Sequence, residues 1–281
     1  HSDLFKAIRA SIQDKAGVFA ILRDLDRDAD IYAALGQPED PMWTADQKAH
    51  VRELTLFNVR QPYALLLAAR RALSDAEFTR VLRACAVVSF RYNVIGNLAT
   101  NEQERVYNAV AEKIAKKEFT AVLDILRALR PVYPSDAQFR AAFGEKQVRT
   151  TTARNRQVVR YILFEIERHV SGRAFEYASD RYSIEHVLPE HPGEGWGGFN
   201  DEQADRCVFR LGNMTPLAAG PNRDMGNRPY GEKRPVFEQC EFEITRRIAA
   251  ENESWTPERI AARQQRLADQ ATGIWRLAEL G

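Results

Sequence analysis

The sequence predicts a mainly α chain: a helical bundle over residues 1–174, then, over 175–281, two short strands and a polar helix embedded in further helices. Three observations predict it. Apolar residues recur at three- and four-residue spacing from Asp3 to about His169, as in Val18, Phe19, Leu22 and Leu25. At Tyr182 the period shortens to two, with Tyr182, Ile184, His186 and Leu188 on one side and Ser183, Glu185 and Val187 on the other. Turn formers then crowd into HPGEGWGGFN and GPNRDMGNRPYGEKRP.

Taken in order, LFKAIRASI from Leu4 opens the first helix. Breaks fall at Gly36–Pro41, at Ser74-Asp75, at Arg91–Asn97 and at Arg130–Asp136; Ser74 can cap a helix with Glu77 three residues on. ALLLAARRAL presents one face to a core and the other to solvent. No fixed period recurs, which argues against a solenoid. His50 and His169, each alone in a helical segment, read as structural or surface residues. After the strand at Tyr182 comes a glycine-rich loop, and CVFRLGNMTPL then gives a second strand-like run punctuated by Gly212-Asn213. These two runs predict a hairpin with a long loop. A helical tail follows from about Val236 to Leu280, restarting at Ser254–Pro257 with Pro257 in a first turn. Trp196, Trp255 and Trp275 read as core or hinge aromatics rather than base-stacking groups.

The 281 residues, 44% hydrophobic and 28% charged, suffice for two domains, each with its own core. No apolar run reaches the roughly 20 residues of a membrane span and no signal pattern opens the chain, so a cytoplasmic protein with no membrane partner is expected. A start at His1 rather than Met suggests an excised fragment. Cys85, Cys207 and Cys240 are odd in number and form no CxxC pair, and are read as reduced and buried.

A formal net charge of +1 does not demand a nucleic acid. Locally the balance differs. Between Arg206 and Val236 six basic residues face only Asp224 and Glu232, and Arg210, Arg223, Arg228, Lys233 and Arg234 become candidate phosphate contacts. A second one-sided run, Lys146, Arg149, Arg154, Arg156 and Arg160, is either a solvated helix face or a further phosphate surface.

Strand, loop, strand and polar helix is the order in which a ββα-metal nuclease builds its site. Hydrolysing a phosphodiester needs a base to deprotonate water, a group that holds the base in the right tautomer, and a cation to offset charge on the phosphate. His186, an Asn amide and an oxygen-ligated Mg²⁺ or Mn²⁺ would make such a set, since Mg²⁺ keeps several waters and takes few protein oxygens.

The elements IEHVLP, RLGNMTPL, PNRDMGNRPYGEK and WTPERIAARQQRL, in that order, resemble the C-terminal nuclease family of GmrSD-type modification-dependent restriction endonucleases. These are His-Asn-His, or His-Me finger, nucleases and include the SspE type of phosphorothioate-linked defence protein. The helical first half, with SFRYNVIGN and VVRYILFEIE, is similar to the segment that precedes this nuclease. The resemblance implies a metal-dependent DNA endonuclease of a restriction or anti-phage system. It makes His186 the general base, Glu185 a metal contact, Asn213 the residue that orients the imidazole, and Asn222 a metal-holding residue on the short helix. Asn227 and Lys233 fall on further positions of the family pattern. The implied partners are DNA, an N-terminal nucleotide-hydrolysing domain, whose DGQQR-type motif this chain does not contain, and other defence components.

Two departures stand out: the metal contact is Glu rather than the commoner Asp, and CxxC zinc pairs are absent. Strand alternation raises an objection of its own. Adjacent Glu185 and His186 point to opposite faces unless the strand ends there, as Pro189 allows. Other readings are an inactive helical module that binds DNA or docks a partner, and an RNA-directed nuclease.

Overall fold

A computed structural model describes residues 6, 9, 10, 12 and 14–280. The helix expected over Leu4–Ile12 lies largely outside the described residues. The fold is mainly α, with two short strands among the described residues. It divides into two compact units: one holds residues up to 86 together with 99–132, the other 87–98 together with 133–281. These units do not follow the expected division at 174/175. The helix after Thr152 packs on the hairpin, so the segment from Tyr133 onward shares the hairpin's core.

The first unit contains α1 (Lys15–Ala34), α2 (Ala45–Phe57), α3 (Tyr63–Ala72), α4 (Asp75–Ser89) as far as Ala86, α5 (Thr100–Ala115) and α6 (Val122–Ala128). Start signals sit where the turn chemistry puts them. Thr44 and Gln47 form a reciprocal cap on α2. At α4, Glu77 accepts from the Ser74 amide at 3.1 Å while Ser74 Oγ accepts from the Glu77 amide at 3.4 Å. Leu54, Leu65, Leu66, Phe78 and Tyr107 are buried in this unit, and His50 pairs with Glu53 at 2.8 Å as a structural histidine.

Arg91–Asn97 was expected to interrupt the helix, but α4 continues into a π-helical turn, Phe90–Ile95, before the chain turns at Gly96. The reason lies in what the turn buries. Arg91 is fully buried, donates to the Pro134, Thr272 and Trp275 carbonyls and pairs with Asp136 at 2.7 Å, while Phe90 stacks on Trp275 at 4.1 Å.

Beyond this turn lie α7 (Asp136–Glu145), α8 (Ala153–Ser171), β1 (Tyr182–His186), α9 (Asp201–Cys207), β2 (Met214–Ala218), α10 (Ala219–Met225), α11 (Tyr230–Glu238), α12 (Glu243–Glu251) and α13 (Pro257–Ile274). The predicted hairpin is present: β1 and β2 pair antiparallel, with Tyr182 opposite Ala218 and His186 opposite Met214. The second strand is shorter than CVFRLGNMTPL suggested. Leu211–Asn213 form a 3₁₀ turn because the backbone there lies against α13, where a Cβ on Gly212 would meet the Ile260 carbonyl at 2.3 Å. Helix α13 starts as expected, with Thr256 accepting from the Arg259 amide and Pro257 in the first turn. All three cysteines are buried and free, and burial pushes each thiol above its ordinary value. Trp196, Trp255 and Trp275 are core residues, 5%, 4% and 3% exposed.

Candidate functional site

His186 is the last residue of β1, and the backbone beyond it is clamped. The Val187 amide donates to the Asn213 carbonyl at 2.9 Å, and the Leu188 amide donates to Asn213 Oδ1 at 2.8 Å. The imidazole, 13% exposed, opens into a cleft of about 530 Å³ between the end of β1 and the first turns of α8. Two of its three neighbours come from other segments of the chain. Thr150 Oγ1 lies 3.3 Å from Nε2, Glu190 Oε1 lies 3.7 Å away, and the Phe209 ring meets the imidazole edge-on at 5.9 Å. Arg156 and Arg160 line the opposite wall.

Local chemistry explains how Thr150 reaches the strand. Gln147 bridges to Arg210, and the Val148 amide donates to the Phe209 carbonyl at 2.9 Å, so this segment runs alongside the chain leading into β2. Thr152 caps α8, Asn155 holds the Arg149 carbonyl at 2.7 Å, and Arg156 holds those of Thr150 and Thr151 at 2.9 and 3.2 Å. Burial lowers the His186 pKa; the Glu190 carboxylate opposes that shift and the Lys233 ammonium adds to it. The imidazole is thereby kept neutral near neutral pH, the state a general base requires.

Glu185 does not share this cleft. Alternation turns it to the interior, where its Oε1 accepts from Lys233 Nζ at 2.6 Å. The remaining Lys233 protons go to the carbonyls of His186 and Val187 at 3.1 and 3.2 Å. Burial pushes the Glu185 carboxyl up to about 7 against the pull of Lys233, and lowers the lysine as well, so desolvation outweighs attraction for both partners.

Asn213 departs from its expected part. Both amide protons go to backbone, the carbonyls of Leu188 and Val208 at 2.9 and 3.0 Å, and Oδ1 accepts from the Leu188 amide and from Trp255 Nε1 at 3.0 Å. No donor remains for the imidazole. Its influence on His186 runs through the clamped backbone instead. Asn222, on α10, gives both protons to β1, at Ser183 Oγ (2.7 Å) and the Ile184 carbonyl (2.9 Å). Asn227 and His191 are exposed, and the Asn227 carbonyl accepts from Trp196 Nε1.

The basic candidates separate by burial. Lys233 has no exposed surface, and Arg210 donates to the Gly144 carbonyl and Gln264. Arg234 is partly tied to the Ala249 carbonyl, while Arg223 and Arg228 are exposed. The oxygen set expected for Mg²⁺ or Mn²⁺ is likewise not assembled, because the Glu185 oxygen is held by an ammonium inside the protein. Among the described residues no three His, Cys, Asp or Glu side chains gather in metal-holding geometry. The residues present do not fit the expected ion.

Thr150 and Glu190 escaped the sequence reading. Glu190 stands four residues after His186 in HVLPEH, a spacing that carried a signal; the contact to Thr150 depends on a pairing that leaves none.

Residues 133–270 match the family model of GmrSD restriction endonucleases, C-terminal domain. The chain carries a GmrSD-type C-terminal domain. The matched segment takes in α7, α8, the hairpin and most of α13, and with them the whole His186 cleft. A GmrSD-type domain is the domain of a restriction nuclease. Comparison with curated proteins returns no match. No helix among the described residues is long and apolar enough to cross a membrane.

Proposed function

We propose that the second unit is a His-Me finger endonuclease acting on DNA, with His186 as its general base. The observation that carries this reading is an imidazole at the end of the first strand of a hairpin, facing a cleft lined on its α8 side by the exposed Arg156. In this reading the scissile phosphate enters the cleft along α8, the exposed Arg156 and Arg149 offset its charge, and the imidazole removes a proton from the attacking water. Phe209 keeps one edge of the ring dry, and the Asn213 clamp fixes where the strand delivers it. Asn222 holds the short helix α10 against β1, completing a strand, strand, helix unit. The nucleotide-hydrolysing domain implied by the sequence resemblance, and other defence components, are the partners this reading proposes.

A second reading, a DNA-binding module without turnover, draws support from the Glu185–Lys233 pair that occupies the expected ligand. One assay separates the two: supercoiled plasmid incubated with the chain and Mg²⁺ or Mn²⁺, with and without EDTA, beside His186→Ala. The endonuclease reading expects relaxed or linear product from the parent and a loss of about 10²–10⁴ in rate for the variant. Binding without product from either protein decides for the passive module.

A further inference from the structure

Thr150 stands between two groups. Its hydroxyl oxygen is 3.3 Å from His186 Nε2 and 3.3 Å from Glu190 Oε1, and its side chain is buried while Glu190 reaches the surface. A hydroxyl has one proton to give. An ionised carboxylate only accepts, so the Thr150 proton goes to Glu190, and the oxygen is left with lone pairs facing Nε2. The imidazole nitrogen that meets a lone pair is the one that carries hydrogen. We propose that Thr150, ordered by Glu190, is a positioning residue that fixes neutral His186 as the Nε2–H tautomer and leaves Nδ1 as the proton-accepting atom.

The inference rests on the endonuclease reading for its consequence, since a base with its lone pair on the wrong nitrogen cannot reach the water. Its physical content is independent of turnover, because the tautomer of a histidine is set by the hydrogen bond its other nitrogen makes. It also gives the segment before α8 a place in the site. Thr150 lies outside the hairpin and its short helix, and it is held there by the Gln147–Arg210 bridge and by the Arg156 bonds to its carbonyl and that of Thr151.

The test is the ¹⁵N spectrum of the imidazole nitrogens in the full chain, labelled at its five histidines, with His186 assigned by difference from His186→Ala. Long-range ¹H–¹⁵N correlations tell the protonated nitrogen from the bare one. The parent is expected in the Nε2–H form above its titration. Thr150→Val removes the acceptor and should give a mixture of tautomers, whereas Thr150→Ser should restore the parent pattern. Glu190→Ala, at a partly exposed position, frees the Thr150 proton to point at Nε2 and should also admit the Nδ1–H form; it carries the test if Thr150→Val does not fold. In plasmid nicking, Thr150→Val should lose about tenfold or more and Thr150→Ser should stay near the parent. A parent spectrum in the Nδ1–H form overturns the proposal, as does a tautomer unmoved in both Thr150→Val and Glu190→Ala. A parent that never nicks plasmid sinks the endonuclease reading instead, and the spectra still decide the tautomer.

Discussion

Lys233 places its ammonium 2.6 Å from the Glu185 carboxylate in the interior, directly behind the strand end that carries His186. The pair has no access to solvent on the lysine side, and the ammonium is fully satisfied by one carboxylate and two carbonyls. Two residues expected to meet a metal and DNA meet each other. They hold the backbone of His186 and Val187 from the side opposite the cleft.

Breaking such a pair leaves an uncompensated buried charge, which is far more costly than removing both charges together. Lys233→Ala should therefore lower the free energy of unfolding by about 3–5 kcal/mol. Lys233→Met combined with Glu185→Gln should recover much of that loss. Denaturant unfolding of the three proteins checks this, and a Lys233→Ala variant as stable as the parent would place the ammonium in water.

Burial pushes the Glu185 carboxyl from its ordinary 4.5 up to about 7. In the window between those values the folded chain binds more proton than the unfolded one, so stability from this group is fully present below about 4.5 and is lost as pH rises to about 7. The slope attributable to it should approach about 1.4 kcal/mol per pH unit within that window. In Glu185→Gln the corresponding fall should disappear. Unfolding followed at a series of pH values in both proteins measures the difference, and identical profiles would contradict a buried, proton-binding carboxyl.

Asn213 makes four hydrogen bonds from a fully buried position, to the backbone at Leu188 and Val208 and to Trp255. Truncation strands several buried partners at once. Asn213→Ala should lose about 3–5 kcal/mol of stability, with activity falling because the loop after His186 loosens. Thermal unfolding beside nicking kinetics distinguishes this from imidazole orientation, which predicts a slow enzyme of parental stability.

Much of this site could be read from local chemistry. The period change at Tyr182 announced β1, the capping pair at Ser74 and Glu77 and the start at Pro257 announced their helices, and IEHVLP singled out His186. The same alternation that revealed the strand also warned that Glu185 would face away, and it does. What stayed hidden depends on pairings between distant segments. Nothing near Thr150 signals that residues 147–148 lie beside 209–210, and nothing in a basic stretch tells a buried lysine from a solvated arginine. Only the packing of Lys233 against Trp196 and the strand end made that distinction, with the ammonium 5.8 Å from the indole centre.

That distinction redirects the path proposed for the phosphate backbone. Arg149 lies over the Phe209 ring at 5.7 Å, next to the imidazole, and Arg156 lines the cleft with its guanidinium anchored on Thr150 and Thr151. Arg223 and Arg228 are exposed, on α10 and just beyond it, and neither lines the cleft that holds His186. On the proposed path, DNA entering along α8 would gain its contacts from the first pair. Arg149→Ala with Arg156→Ala should weaken binding for all duplex sequences alike and flatten its salt dependence, each lost contact changing the log-log slope by about 0.9. Arg223→Ala with Arg228→Ala should leave the slope near the parent's. Titrations of a labelled duplex across a salt series read both, and the opposite pattern, a slope flattened only by the second pair, would move the backbone to the α10 side.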